Sequence, residues 1–271
     1  MTEITGETAL LWMFTHPVRH VRGSVIINRQ FDAMDVDAAI CPIHVLPEHL
    51  EFMMEAARKT GNLAGLGLTK PHKITGHALM DHLTDAARLQ GAVNFVRRNP
   101  DGTLTGHNLD GEGFVAGLSA NGVSAAGRNV LVIGTGGVGR PIAFSLAEAG
   151  VASLALANRT RSSAEALADD ISRHYASVRT AVFDFADEAA LEGVDLVVNA
   201  TSVGMTEPDA QPISLELLSP EAVVADVIIN PRMTTLLRAA SAKGCKIITG
   251  DAMLAPQPAL LCAFLGLQPR S

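Results

Sequence analysis

The sequence predicts an α/β protein of two lobes, the larger a doubly wound parallel sheet and the smaller an α/β domain ahead of it. Three observations carry this. From Asn129 onward, short apolar runs alternate with helical patterns. Several of the runs are continuous rather than alternating, as strands buried on both faces must be. The composition is 48% hydrophobic but only 4% aromatic, so aliphatic residues dominate the apolar share, the mix of buried parallel strands and their covering helices.

Residues 129–133, 153–157, 179–183, 195–199, 223–229 and 245–249 read as six strands. Residues 141–149, 163–174 and 234–243 read as helices between them. Six strands with helical crossovers make a parallel sheet covered on both faces. The first ~110 residues are less regular. Strands are expected at 9–14, 38–45, 65–69 and 92–98, and a helix at 47–60 that Gly61 ends. Asn99-Pro100-Asp101-Gly102 is a tight turn, joining 92–98 to 103–107 as a hairpin. Residues 251–265 read as a last helix with no strand after it, returning to the first lobe. A cleft between lobes is then the expected place for a ligand.

At 271 residues the chain can bury the cores of two modest domains. A net charge of -7 weighs against nucleic acid or an anionic membrane as the main partner. Cys41, Cys245 and Cys262 are far apart and lack metal-ligand spacing, so no metal is expected and the thiols fit a reducing compartment. The N-terminus has no basic-then-apolar leader, and no apolar run approaches the ~18–20 residues of a membrane span. The expectation is a soluble, cytoplasmic protein, monomeric or homodimeric.

The strand at 129–133 runs into Gly134-Thr135-Gly136-Gly137-Val138-Gly139, and a helix follows. Glycines so placed, between strand and helix, allow a tight turn, close backbone approach to a pyrophosphate, and close helix–strand packing. The helix N-terminus adds free N–H groups and the positive end of a dipole. This is the fingerprint of a dinucleotide-binding Rossmann lobe. The second strand ends in Asn158-Arg159-Thr160-Arg161, with no acidic residue for the ribose hydroxyls of NAD. Arg159, with Arg161 close by, suits the extra phosphate of NADP instead, because guanidinium pairs bidentately with phosphate.

With these motifs read, the chain resembles the shikimate dehydrogenase family. The strongest pieces are Asn199-Ala200-Thr201-Ser202-Val203-Gly204-Met205 and Asn158-Arg159-Thr160. Others are Thr69-Lys70-Pro71-His72-Lys73, Gly91-Ala92-Val93-Asn94, Gly106-His107-Asn108-Leu109-Asp110-Gly111, and Gly250-Asp251-Ala252-Met253-Leu254 with Gln257. The resemblance implies a substrate-binding and catalytic domain at 1–110, completed by 250–271, and an NADP-binding domain at 111–249. It implies Lys73 and Asp110 as the catalytic pair, the amine moving the hydroxyl proton during hydride transfer and the carboxylate orienting it. It further implies Asn94 and Gln257 as ligands of substrate hydroxyls and Thr69 as pocket lining. Thr201, Ser202, Val203, Gly250 and Met253 would border the cofactor.

The departures from the family fall on the substrate side. The stretch after the family's usual Asn-Pro carries two hydroxyls that bind the substrate carboxylate. Here it reads His16-Pro17-Val18-Arg19-His20-Val21-Arg22-Gly23, with Val21 and Gly23 at the hydroxyl positions. Gly67 stands for an Asn, Leu109 for a Thr and Ile229 for a Tyr. Each change removes a partner for a polar ring, at about 1–3 kcal/mol per unpaired group. Arg19 and Arg22 sit where a replacement grip on the acid is expected. The reading is an NADP-dependent oxidoreductase of a shikimate-like cyclic hydroxy acid with altered carboxylate recognition. The alternatives are shikimate dehydrogenase itself with a rearranged carboxylate site, an NADP reductase of another carbonyl or imine, and a non-catalytic NADP-binding relative. The retained Lys73, Asn94, Asp110 and Gln257 weigh against the last two.

Overall fold

The computed structural model describes residues 3–21, 23–206 and 210–270. They divide into two compact units, one running to Leu109 and resuming at Gln257, the other comprising Asp110–Pro256.

The first unit contains β1 (Ala9–Thr15), α1 (Gly23–Ala33), β2 (Ala38–His44), α2 (Leu50–Lys59), β3 (Leu63–Leu68), α3 (His72–Ala78), β4 (His82–Leu83), α4 (Asp85–Gln90), β5 (Phe95–Arg98) and β6 (Leu104–His107). The sheet order is β2-β1-β3-β5-β6-β4. β1 is parallel to β2 and β3, while β5 is antiparallel to β3 and β6. Side chains alternate across β1, so its two faces enter different cores. Phe14 packs with Met54, Leu66 and Leu68, whereas Leu11 and Met13 pack with Phe31, Phe95 and Leu261. Both faces being covered explains why β1 reads as a continuous apolar run.

The second unit contains α5 (Asp110–Ala120), β7 (Asn129–Ile133), α6 (Gly139–Glu148), β8 (Ser153–Asn158), α7 (Arg161–His174), β9 (Arg179–Asp184), β10 (Leu196–Asn199), β11 (Val223–Asp226), α8 (Thr235–Ala242), β12 (Lys246–Ile248) and α9 (Asp251–Leu254). α10 (Gln257–Leu265) then rejoins the first unit, against α1 and β5. The order β12-β11-β10-β7-β8-β9 is parallel throughout. Val130, Leu131, Val132 and Ile133 are at most 1% exposed, the mark of a central strand. The winding reverses between β7 and β10, which opens a crevice at the carboxyl ends of those strands.

Several expected elements differ in extent. The helix at 47–60 begins as a 3-10 turn, Pro47–His49, before α2. The strand expected to reach Ile229 stops at Asp226, because the Ile228 amide turns back to donate to Asp226 Oδ1 at 2.9 Å. The single helix at 251–265 is two, α9 and α10, since Pro256 has no N–H to continue the ladder. Helices α1, α3, α4 and α5 are present beyond those expected. Of these, α4 carried its signals, with Thr84 capping the Ala87 amide and Gly91 closing at φ +67°. In α5 the glycines that weaken the pattern are there for packing. A Cβ on Gly111 would lie 2.3 Å from the Pro141 carbonyl oxygen, and one on Gly117 2.3 Å from that of Ala252.

Candidate active site

The crevice at the switch point of the second unit holds a cavity of about 370 Å³. It is lined from the loops that follow four strands. Gly134 and Gly136 come after β7, Asn158 and Arg159 from the end of β8, Phe185 after β9, and Thr201, Ser202 and Val203 after β10.

The glycine loop has a separate physical reason for each member. Gly134 turns at φ +94°, and a Cβ there would stand 2.8 Å from Thr201 Cγ2. Gly139 opens α6, and its Cβ would fall 1.8 Å from the Gly134 carbonyl oxygen. Gly136 and Gly137 are exposed with no protein atom within 4 Å of such a Cβ. Bare backbone beside a cavity at a helix N-terminus is the cradle a pyrophosphate needs. Thr135 Oγ1 is buried without a partner, a polar atom a ligand can satisfy. Val138 precedes the helix and does not line the cavity.

The two arginines part company. Arg159 lines the cavity, is exposed, and pairs with no acid among the described residues. Arg161 heads α7 and is bound to Asp184 at 2.9 Å and Glu165 at 3.0 Å. The expected pairing of Arg161 with a phosphate is thus opposed by two carboxylates already on it. Asn158 ties the two loops, accepting from the Thr135 amide at 3.3 Å and donating to the Thr160 carbonyl at 3.0 Å. Gly250 and Met253 lie outside the cavity lining. Gly250 is packed where a Cβ would meet the Ile228 carbonyl at 2.4 Å, and Met253 is buried on α9.

A buried network the sequence reading missed holds the loop after β10. Asn199 and Asp226 face each other because β10 and β11 pair in that register. Asp226 accepts from Asn199 Nδ2 at 3.1 Å and from Thr234 Oγ1 at 2.8 Å. Asn199 Oδ1 accepts from the Thr201 amide and hydroxyl, and the Thr201 hydroxyl accepts from the Val203 amide. Burial pushes the Asp226 carboxyl above the ordinary carboxylate range, with its three donors acting in the opposite sense.

In the first unit the sequence-predicted residues lie after β3, on α3, just before β5 and at the start of α10. Thr69 follows β3 and donates its hydroxyl to Thr15 Oγ1 at 2.7 Å. Lys73 is half-buried on α3. Asn94 Oδ1 accepts from the Leu109 amide at 2.9 Å, so it braces the chain just before Asp110 as well as being a candidate substrate ligand. Gln257 opens α10, buried, with Nε2 unpartnered. In the second unit, Asp110 is buried at the start of α5. Arg19 is exposed on the 3-10 turn after β1, and Arg22 lies outside the described residues. Leu109 is a core side chain, packed with Phe95 and Leu261. Its replacement of a Thr therefore reads as core packing as much as a lost substrate contact. Among the described residues no His, Cys, Asp and Glu cluster is placed to hold a metal, and no helix is long and apolar enough to cross a membrane.

Comparison with known proteins identifies the family. Residues 13–96 match the shikimate dehydrogenase substrate binding domain, and residues 118–209 match shikimate / quinate 5-dehydrogenase. The shikimate dehydrogenase (NADP(+)) of Symbiobacterium thermophilum is 40% identical over 265 residues, covering 96% of this chain and 88% of that protein. The shikimate 5-dehydrogenase of Listeria monocytogenes, solved with shikimate and NAD, superposes with a TM-score of 0.90 at 30% identity, covering 98% of this chain and 94% of that one. The 5-ketofructose reductase of a Gluconobacter strain superposes with a TM-score of 0.87 at 32% identity, covering 96% and 94%. By the extent of these matches and the motifs that carry them, the chain belongs to the shikimate dehydrogenase family of oxidoreductases.

Proposed function

We propose that the chain is an NADP-dependent dehydrogenase acting reversibly on a ring hydroxyl or ring ketone of a shikimate-like cyclic hydroxy acid, whose carboxylate it grips differently from its relatives. The observation that carries this is a contrast within one sequence. Lys73, Asp110, Asn94 and Gln257 keep the family's residues, while positions 21, 23 and 67, which hold polar ligands in the family, are Val, Gly and Gly.

Bound NADP supplies or takes the hydride. The chain's part is to hold the cofactor and move the proton. The backbone at Gly134–Gly136 would hold the pyrophosphate, and Arg159 would pair with the phosphate that distinguishes NADP from NAD. Lys73 passes a proton to or from the reacting oxygen, and Asp110 is the acidic member of the pair. The buried amide of Gln257 lacks an acceptor, a deficit of about 1–3 kcal/mol that a substrate hydroxyl would remove. Asn94 and Thr69 complete the polar lining, and Arg19 adds positive charge on the turn after β1.

The Gluconobacter relative, named for reduction of 5-ketofructose, favours a second reading in which the substrate is an uncharged keto sugar. One steady-state panel separates the two. Ring hydroxy acids are assayed with NADP, and 5-ketofructose with NADPH. Turnover of an acid other than shikimate supports the proposal. Shikimate turned over with the efficiency ordinary for the family overturns it, and turnover of the keto sugar alone establishes the second reading. Lys73→Ala should abolish turnover and leave NADP binding nearly unchanged; surviving activity would refute the proton-transfer role of Lys73.

A further inference from the structure

The family's hydroxyl at position 23 and its Asn at 67 are both glycine here, and one side chain occupies the space beside them. A Cβ on Gly23 would stand 3.5 Å from Met13 Cε, and one on Gly67 would stand 3.4 Å from that same atom. Met13 is 4% exposed and belongs to the apolar cluster with Phe31 and Phe95. Neither glycine has a positive φ, so neither is required by its backbone. A buried thioether cannot pair a carboxylate, and an acid placed there would keep its charge unsatisfied.

A different group stands at the ends of the neighbouring strands. The register of β1 and β2 sets Thr15 opposite His44, and His16 follows. His16 Nδ1 and His44 Nε2 are 2.8 Å apart. The ring planes differ by 5° and the centroids are 5.0 Å apart, about the N···N distance plus two ring radii. The imidazoles therefore meet edge to edge in one plane rather than face to face. Of the two facing nitrogens one carries the proton and the other accepts it. The neutral pair then has one bare outer nitrogen and one outer N–H. A single added proton makes both outer nitrogens donors and gives the pair a positive charge. A second would put N–H against N–H, so the contact accommodates only one added proton.

The pair also adjoins the predicted substrate residues. The His16 amide donates to the Lys70 carbonyl at 3.4 Å. Thr15, just before His16, accepts from Thr69. Val45, just after His44, bonds through its carbonyl to His72 Nε2 at 3.0 Å, and His72 precedes Lys73. Other titratable side chains on the surrounding segments are Arg19, Lys70, His72, Glu48 and His49. Burial pushes the His72 imidazole below its ordinary range, its bond to Val45 acting against this and the charge of His16 with it.

We propose that the His16–His44 pair, carrying one added proton, holds the substrate carboxylate through an outer N–H, in place of the family's hydroxyls at positions 21 and 23, which are Val and Gly here. This rests on the reading of the substrate as a ring hydroxy acid. It is tested by calorimetric binding of shikimate and quinate, each beside its methyl ester, to NADP-loaded protein. At about pH 6 the better-bound acid should exceed its ester by about tenfold or more, and the ratio should fall toward one by about pH 8. His44→Gln and His16→Asn, the second restoring the family's usual residue, should each bring the ratio near one at both pH values with melting temperature and NADP affinity unchanged. A ratio that survives both substitutions, or that does not change with pH, overturns the inference alone. Failure of every acid to bind the wild-type protein overturns it together with the reading beneath it.

Discussion

Gly136 and Gly139 lie three residues apart in one loop, yet an added methyl group should act on them through different terms. At Gly139 the new Cβ would fall 1.8 Å from the Gly134 carbonyl oxygen and 2.8 Å from its carbon. Both are backbone atoms, so no side chain can swing aside, and the carbonyl must retreat by more than an ångström. Overpacking typically costs 1–3 kcal/mol, and a backbone neighbour places Gly139→Ala at about 3 kcal/mol or above. For a domain of this size that lowers Tm by about 6–12 °C. At Gly136 an added Cβ would have no atom beyond its chain neighbours within 4 Å and φ is not positive, so Ala fits the fold. It should leave stability unchanged or raise it by about 0.4–1 kcal/mol, by narrowing the unfolded ensemble. The methyl group would instead stand where phosphate must approach. Losing one or two amide–phosphate hydrogen bonds, at about 1.5–3 kcal/mol for a charged partner, weakens NADP binding by about tenfold to about twenty-thousandfold. Thermal unfolding and NADPH fluorescence titration on both variants decide the matter. Gly136→Ala binding NADPH as tightly as wild type, or Gly139→Ala melting at the wild-type temperature, would refute the assignment of roles within the loop.

Two further outcomes follow from the site. Arg159→Ala should raise KM for NADP by about ten- to a hundredfold and leave NAD kinetics alone, while Arg161→Ala, which loses its exposed carboxylate partners and a bond to the Val182 carbonyl, should leave both cofactors' KM values unchanged; equal effects of the two would refute the separation. Asp226→Asn should destabilise the protein by about 1–3 kcal/mol, because one amide oxygen cannot serve three donors. The pH dependence has a definite sign. Burial raises the folded-state pKa of Asp226. Its contribution is therefore fully present below the unfolded-state value and is lost as pH rises through the folded one. In urea unfolding from about pH 4 upward, the stability gap between wild type and variant should narrow, and a widening gap would show that the buried carboxylate is not the titrating group.

The parts of the fold that could be read early were those whose signal is local. Continuous apolar runs marked β7, β10 and β11 because each is buried on both faces. The glycine loop was readable because its three requirements, a left-handed turn, bare backbone and close packing, all exclude side chains at fixed spacing. α5 escaped for the opposite reason. Its glycines answer to Pro141, Ser145 and Ala252, which are distant in sequence. The helix pattern they interrupt gives no hint of those partners.

The site divides the same way. The sequence by itself determined, through residue type and spacing, a dinucleotide-binding fingerprint at Gly134–Gly139 with two arginines after the next strand, while the Lys73 and Asp110 pair and the missing hydroxyls at 21 and 23 are what its resemblance to the family implies. Only the tertiary structure decided which groups are committed elsewhere and which meet. It bound Arg161 to Asp184 and left Arg159 on the cavity. It placed Leu109 in a core, and it set Asn199 beside Asp226 and His16 beside His44. Each of these outcomes depends on strand register and on side chains brought from far along the chain, and an interaction between residues 28 positions apart leaves no mark on the local pattern of either.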